Sequence, residues 1–313
     1  MGGRSSLPRR IAWVSGLLGL VLVFAVTVVA VVTARGDADQ APTPTAAPTP
    51  AALPASCVDG DDLVPDTARR CDLLPYVPGR PTLVLWGDSH AWHLVPALTE
   101  AIGAQPVNLV GFLFGSCPLV RIEARTECAR TNDLALRFVR QAVRRGDDVR
   151  VVASEAWELY RDALPGSTGE EPLPTSDAII KAAPETVDGT PRLFRTLATL
   201  GVPTDVVGPM PVVPTDVTGC TALQPGTPSE CELPRAAALE DEDDTRREIE
   251  RLMTGLDDAT LIDPSPALCD DATCAAVLDG MPVFLDNIHL SAESSRLLAD
   301  YFSPTVERLL ADA

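Results

Sequence analysis

The chain is poor in three kinds of residue, and each shortage narrows what it can do. It has one lysine, Lys181, and Lys+Arg total 25 against 44 Asp+Glu, for a formal net charge of −19. Such a balance repels polyphosphates and anionic membrane surfaces. Aromatic residues are also few, with seven Phe, three Tyr and four Trp in 313 residues. Lacking both a basic stripe and an aromatic platform, the chain has no nucleic-acid partner. Histidine is rarer still, represented only by His90, His93 and His289. Any chemistry that needs a proton acceptor near neutral pH must therefore draw on one of three positions. No Cys-x-x-Cys occurs and no cysteine stands at ligand spacing from a histidine, so neither a metal nor a cofactor is expected.

What is present falls into regions. The length suits one sizeable domain plus appendages, or two small domains. Arg4, Arg9 and Arg10 precede an uncharged run that opens at Ile11 and closes at Thr33. As a helix that run would span about 35 Å, enough to cross a bilayer and longer than the apolar segment of a cleaved signal peptide. The upstream arginines predict a cytoplasmic N-terminus at residues 1–10, a single-pass transmembrane anchor at 11–33, and everything beyond on the outer side of the cell membrane. Residues 34–56 are rich in Ala, Pro and Thr and read as an extended linker. Residues 57–313 form the extracytoplasmic domain.

All eight cysteines lie beyond the linker, which argues for disulfides in an oxidising compartment. They fall into four close pairs, so neighbour pairing is predicted: Cys57 with Cys71, Cys117 with Cys128, Cys220 with Cys231, and Cys269 with Cys274.

Within the domain, strand-like and helix-like segments alternate. Strands are predicted near 82–86, 107–114, 148–154, 203–207 and 260–262. Helices are predicted over 90–103, 127–145, 191–200, 234–255 and 292–310, with Thr190 and Pro191 as the start of the third. This alternation predicts an α/β fold with a parallel sheet.

Two motifs carry chemistry. The first, Leu85-Trp86-Gly87-Asp88-Ser89-His90, places a serine where a buried strand gives way to a helix, at the carboxyl edge where open α/β sheets bind ligands. Alone it reads first as a helix cap. The second, Asp286-Asn287-Ile288-His289, sets an aspartate one turn ahead of a histidine. Asp286 can accept from the Nδ1–H of His289 and leave Nε2 free as a base, with Ser291 capping the helix that follows. Asp88 is expected to brace its turn through nearby backbone N–H groups.

Together these residues resemble the SGNH (GDSL-like) hydrolase superfamily, in the branch found as the extracytoplasmic domain of bacterial acyltransferase-3 proteins. The resemblance rests on W-G-D-S-H-A followed by L-V-P-A-L, Cys117-Pro118 after the second strand, A-W-E-L-Y after the third, and D-N-I-H-L-S before the last helix. It covers residues 57–313. It implies a flavodoxin-like three-layer α/β/α sandwich and a catalytic triad of Ser89 as nucleophile, His289 as general base and acid, and Asp286 as its orienter. It also implies transfer or hydrolysis of small acyl esters, with an envelope glycan as acceptor.

The family pattern is not complete. It places a glycine after the second strand and an asparagine after the third as oxyanion donors, but the three asparagines here are Asn108, Asn132 and Asn287, none in that place. Gly115 is the candidate for the glycine, and Trp157, through its indole N–H, for the missing asparagine. His90 is a candidate substrate contact near the mouth of the site. A single anchor stands where the related proteins have a multi-helix acyltransferase part, so either a separate membrane protein donates the acyl group or the domain acts alone as an esterase. The alternative is a non-catalytic glycan-binding or assembly module that retains the fold.

Overall fold

A computed structural model describes residues 48–120, 126–160, 177–214, 217, 219–222, 231, 233–240 and 242–313. The predicted anchor at 11–33, its cytoplasmic flank and the first part of the linker lie outside them. Among the described residues no helix is long and apolar enough to cross a membrane.

The centre of the fold is a six-stranded sheet. We label its strands β1 (Cys71–Asp72), β2 (Thr82–Gly87), β3 (Asn108–Leu113), β4 (Val149–Ser154), β5 (Thr204–Val207) and β6 (Leu261–Ile262). They lie in the order β1-β3-β2-β4-β5-β6, all parallel except β1, which pairs antiparallel with β3 through Cys71 and Gly111. The five parallel strands thus follow the flavodoxin-like order 2-1-3-4-5, whose winding reverses between β2 and β4. Every residue of β2, β3 and β4 is buried. Strands covered on both faces read as continuous apolar runs, which explains why these three were visible in the sequence.

The helices flank both faces. On one side α1 (Ser89–Trp92), α2 (Val95–Ile102), α7 (Ala292–Arg296) and α8 (Ala299–Ala311) pack on Leu83 and Leu85. On the other, α3 (Thr126–Arg145), α5 (Asp177–Leu200) and α6 (Glu242–Met253) cover Val84, Trp86 and Phe112. The short α4 (Trp157–Tyr160) closes the end of β4. Side chains of one strand alternate between the two layers, as the pleat requires, and the result is an α/β/α sandwich.

Three predicted helices are broken. The segment 90–103 divides into α1 and α2, with Pro96 in the first turn of α2; 234–255 divides into Arg235–Ala238 and α6; and 292–310 divides into α7 and α8. The predicted start at Thr190 is also incorrect, because α5 begins at Asp177 and Thr190 is buried inside it. A proline in a helix interior removes one backbone bond, and the packing of Phe194 and Leu197 under the sheet offsets that loss.

Three of the predicted cysteine pairs are disulfides: Cys117–Cys128, Cys220–Cys231 and Cys269–Cys274. The fourth is not. Cys57 and Cys71 are buried thiols. The Cys71 thiol points at the Cys57 carbonyl (3.9 Å), and the hydrogen bond with Cys57, together with burial, pushes its pKa up. The linker is also shorter than the sequence suggests: Ala51 is buried in the core, and Thr49 is bonded to α7.

Candidate active site

The switch point between β2 and β4 brings the first motif together. A side chain at Gly87 would overlap the Ser154 carbonyl oxygen, so only glycine allows these strand ends to approach so closely. Asp88 follows and is buried. Its Oδ1 accepts from the His90 amide (2.8 Å), and its Oδ2 accepts from the Ala156 amide (3.1 Å) and the Tyr160 hydroxyl (2.9 Å). Burial pushes the Asp88 carboxyl up to about 6, against the pull of these donors. As the cap of α1, it fixes Ser89 at the first helical position, 9% exposed.

The second motif forms a tight turn. The Leu285 amide donates to the His289 carbonyl (2.8 Å), closing the loop. Asp286 Oδ1 accepts from the amides of Ile288 (3.0 Å) and His289 (2.8 Å), and its carboxylate meets the Nδ1 of His289 at 2.8 Å. Burial opposes ionisation of Asp286, but the hydrogen bond from His289 and the two amide bonds outweigh it and hold the carboxyl below its ordinary value. A carboxylate only accepts, so Nδ1 carries the proton and Nε2 is left as the basic nitrogen. Asn287 ties the turn to the 210–214 segment, its Nδ2 donating to the Val213 carbonyl (3.0 Å) and its own carbonyl accepting from the Val213 amide (2.7 Å). Ser291 accepts from the Ser294 amide and caps α7.

The fold then joins the two motifs. The His289 ring lies edge-on to Trp92 (centroids 5.4 Å apart), His90 (5.9 Å) and His93 (6.2 Å), all on or just after α1, so the chain's three histidines share one cluster. His289 Nε2 is buried and has no hydrogen-bond partner among the described residues, and no hydrogen bond there joins it to the Ser89 hydroxyl. The nucleophile and base candidates are neighbours whose closing contact is not made in this structure.

Other expectations are corrected. His90 does not lie at a mouth: it is 1% exposed and stacked on His93 at 5.0 Å. Burial pushes its pKa down to about 3 and shifts that of His93 down as well, which favours the neutral imidazole in both. Neither proposed oxyanion donor is free. The Gly115 amide donates to the Pro65 carbonyl (3.2 Å), and the Trp157 indole N–H donates to the Val207 carbonyl (2.8 Å).

Several residues that shape the site gave no signal in the sequence. Asn132 accepts from the Trp86 indole (2.6 Å) and donates to the carbonyls of Pro118 (2.9 Å) and Val120 (2.6 Å), while Glu155 accepts from the Leu119 amide (2.5 Å). With the Cys117–Cys128 bridge they hold the loop after β3. Trp92 is the other, since it faces His289 from inside the protein.

Residues 56–304 match the family described as the SGNH domain fused to AT3 domains, and the chain belongs to that family. No curated protein matches the sequence. Among solved structures, the chain is similar to the periplasmic domain of a lipopolysaccharide acetyltransferase from Salmonella ser. Paratyphi A. The likeness has a TM-score of 0.50 and 15% identity, and covers 73% of this chain and 84% of that one. A carbohydrate acetylesterase family member from Sinorhizobium meliloti also matches, with a TM-score of 0.38 and 16% identity over 74% of this chain and 99% of that one. Family membership supports an acyl-transfer or esterase class.

Proposed function

We propose that the protein is a membrane-anchored serine O-acyltransferase or acetylesterase that acts on cell-envelope polysaccharide through an acyl-enzyme. One observation carries this reading: the ionised Asp286 holds the Nδ1 of His289, and the ring, its Nε2 without a partner among the described residues, packs against Trp92 of the helix that begins with Ser89. In the reaction, the Ser89 hydroxyl attacks the ester carbonyl as its proton passes to His289 Nε2, and Asp286 stabilises the imidazolium. The leaving alcohol takes that proton, and a sugar hydroxyl or water, deprotonated by the same nitrogen, then releases the acyl group. Closing the contact between serine and histidine on substrate binding is common in such sites. The Ser89 amide serves as the oxyanion donor. With Gly115 and Trp157 committed elsewhere, turnover of a simple ester is slow, since losing one donor costs about 10²–10³ in rate. The disulfides and the acetyltransferase neighbour's periplasmic setting favour an extracytoplasmic location. In the transfer reaction, a separate membrane protein supplies the acyl group.

The occupied donors favour a second reading, a non-catalytic glycan module. One experiment separates the two: incubation with an aryl acetate, with and without a glycan acceptor, following acid release and acceptor mass. Acetate release that Ser89→Ala abolishes, with serine labelling by a phosphonate, supports the enzyme. Equal release by wild type and Ser89→Ala, with no labelling, replaces it with the glycan module.

A further inference from the structure

The end of the Ala/Pro/Thr-rich stretch makes contacts that a spacer has no use for. The Thr49 carbonyl accepts from the amide of Ala292 (2.8 Å), three residues after His289. The Thr49 amide and hydroxyl donate to the Glu293 carboxylate (3.0 and 2.7 Å). Two residues on, the carbonyl of Ala51 accepts from the Trp92 indole N–H (3.0 Å), both residues being 1% exposed. Trp92 lies three residues after Ser89, and its ring meets that of His289 at 5.4 Å and 78°. One stretch of three residues therefore ties the helix that carries Ser89 to the start of α7, just after the turn that carries His289.

We propose that residues 49–51 form a positioning clamp for this site. They set the separation of Ser89 and His289 and, through Trp92, the tilt of the imidazole. The proposal rests on reading His289 as the general base. The physical need is clear from the ring's own contacts. Asp286 holds the ring at Nδ1, and Nε2 has no partner among the described residues, so hydrogen bonding anchors only one side of the ring and leaves the other free to tilt. An edge-to-face contact with Trp92 removes that freedom. A buried indole N–H must in turn be satisfied, and the Ala51 carbonyl fixes the rotamer by accepting it. Thr49 and Glu293 then bind the same stretch to the beginning of α7. A misplacement of about 1 Å between reacting groups costs about 10² in rate, so the clamp acts on turnover more than on substrate affinity.

The test uses the full chain in detergent micelles, labelled with ¹⁵N-histidine, as wild type, Trp92→Phe and Thr49→Val, with His289→Gln to assign signals. Phenylalanine keeps an aromatic ring but cannot reach Ala51; valine keeps the shape of Thr49 but cannot donate to Glu293. The expected result is a single neutral His289 tautomer in wild type. In Trp92→Phe its ring signals shift toward an averaged state, and phosphonate labelling of Ser89 slows about tenfold per folded molecule. Thr49→Val shows the same changes to a smaller extent, and because its contact is exposed it carries the test if Trp92→Phe does not fold. Ring signals identical to wild type in the folded variants overturn the clamp, whatever the labelling rate. Shifted ring signals in a protein whose wild type is never labelled support the clamp on His289 and sink the esterase reading instead.

Discussion

The two edges of the central sheet both bury charged groups, and they treat them in opposite ways. At the amino edge, Asp205 is fully buried and its carboxylate receives four donors: Arg150 (3.3 Å), the Thr260 amide (3.1 Å), the Thr305 hydroxyl (2.7 Å) and Arg308 (2.8 Å). Arg150, equally buried, also pairs with the Asp258 carboxylate. Charge there is matched by charge, which holds β4, β5 and α8 together. At the carboxyl edge, among the described residues, Asp88 is buried with no cation bonded to it and His289 keeps a buried nitrogen with no partner. The atoms of the described residues left without a partner at the amino edge, Arg150 Nε and Arg308 Nε, are N–H donors that cannot take up a proton, whereas the open nitrogen of His289 can. That difference separates framework from site more sharply than burial does.

The largest expected effect sharpens the contrast. Asp286→Asn keeps an oxygen for the amides of Ile288 and His289 but presents an NH₂ or a weaker acceptor to Nδ1, which disturbs the tautomer that leaves Nε2 basic. Loss of the orienting carboxylate in a triad lowers turnover by up to about 10⁴. Stability should change by less than about 1 kcal/mol, because the turn's backbone bonds survive. Aryl acetate kinetics beside urea denaturation measure both; unchanged turnover removes Asp286 from the mechanism.

The converse applies at the other edge. Asp205→Ala removes the acceptor shared by Arg308, Thr305 and the Thr260 amide and leaves Arg150 to Asp258 and Asp312, and breaking a buried ion pair by removing one partner costs up to about 3–5 kcal/mol. Ester turnover per folded molecule should be unaffected, since the residue lies at the opposite end of the strands from Ser89. A loss of turnover that exceeds the loss of folded protein would break the division between the edges. A smaller stability loss is expected from replacing both Cys117 and Cys128 with serine. The bridge closes a loop of sequence separation 11 and restricts the unfolded chain by up to about 3 kcal/mol.

How far the sequence revealed these edges follows from the range of each interaction. The parallel strands were legible because double burial leaves apolar runs such as Thr82–Gly87, and the Asp286–His289 bond because both groups lie in one turn. The antiparallel β1 was not legible, since two residues carry no periodicity. The helix breaks after Trp92 and Arg296 were hidden by apolar spacing that continues across them. Least visible were contacts between a side chain and a distant carbonyl: Trp92 with Ala51, 41 residues away, and Trp157 with Val207, 50 away. The indole of Trp157 has a free N–H in the sequence and a committed one in the fold, and the partner has no side-chain signature to read.

The last prediction tests whether the carboxyl edge keeps its charge poorly compensated. With the Asp88 pKa raised from 3.8 to about 6, the folded protein holds a proton that the unfolded chain releases between those values. Stability from this group is therefore fully present below about pH 4 and declines as pH rises through 6, by roughly 3 kcal/mol at 1.36 kcal/mol per unit. Asparagine cannot titrate, so Asp88→Asn should lack that decline, although the Ala156 amide loses an acceptor and the variant is the weaker protein at pH 4. The stability advantage of wild type over Asp88→Asn should shrink by roughly this amount between pH 4 and pH 7, as read from urea midpoints at unit steps of pH. Titration of all other groups cancels in the difference unless they couple to Asp88, which makes the comparison specific. A difference that stays constant across the range would mean that Asp88 ionises as it does in water, and the contrast between the two edges would then rest on His289 alone.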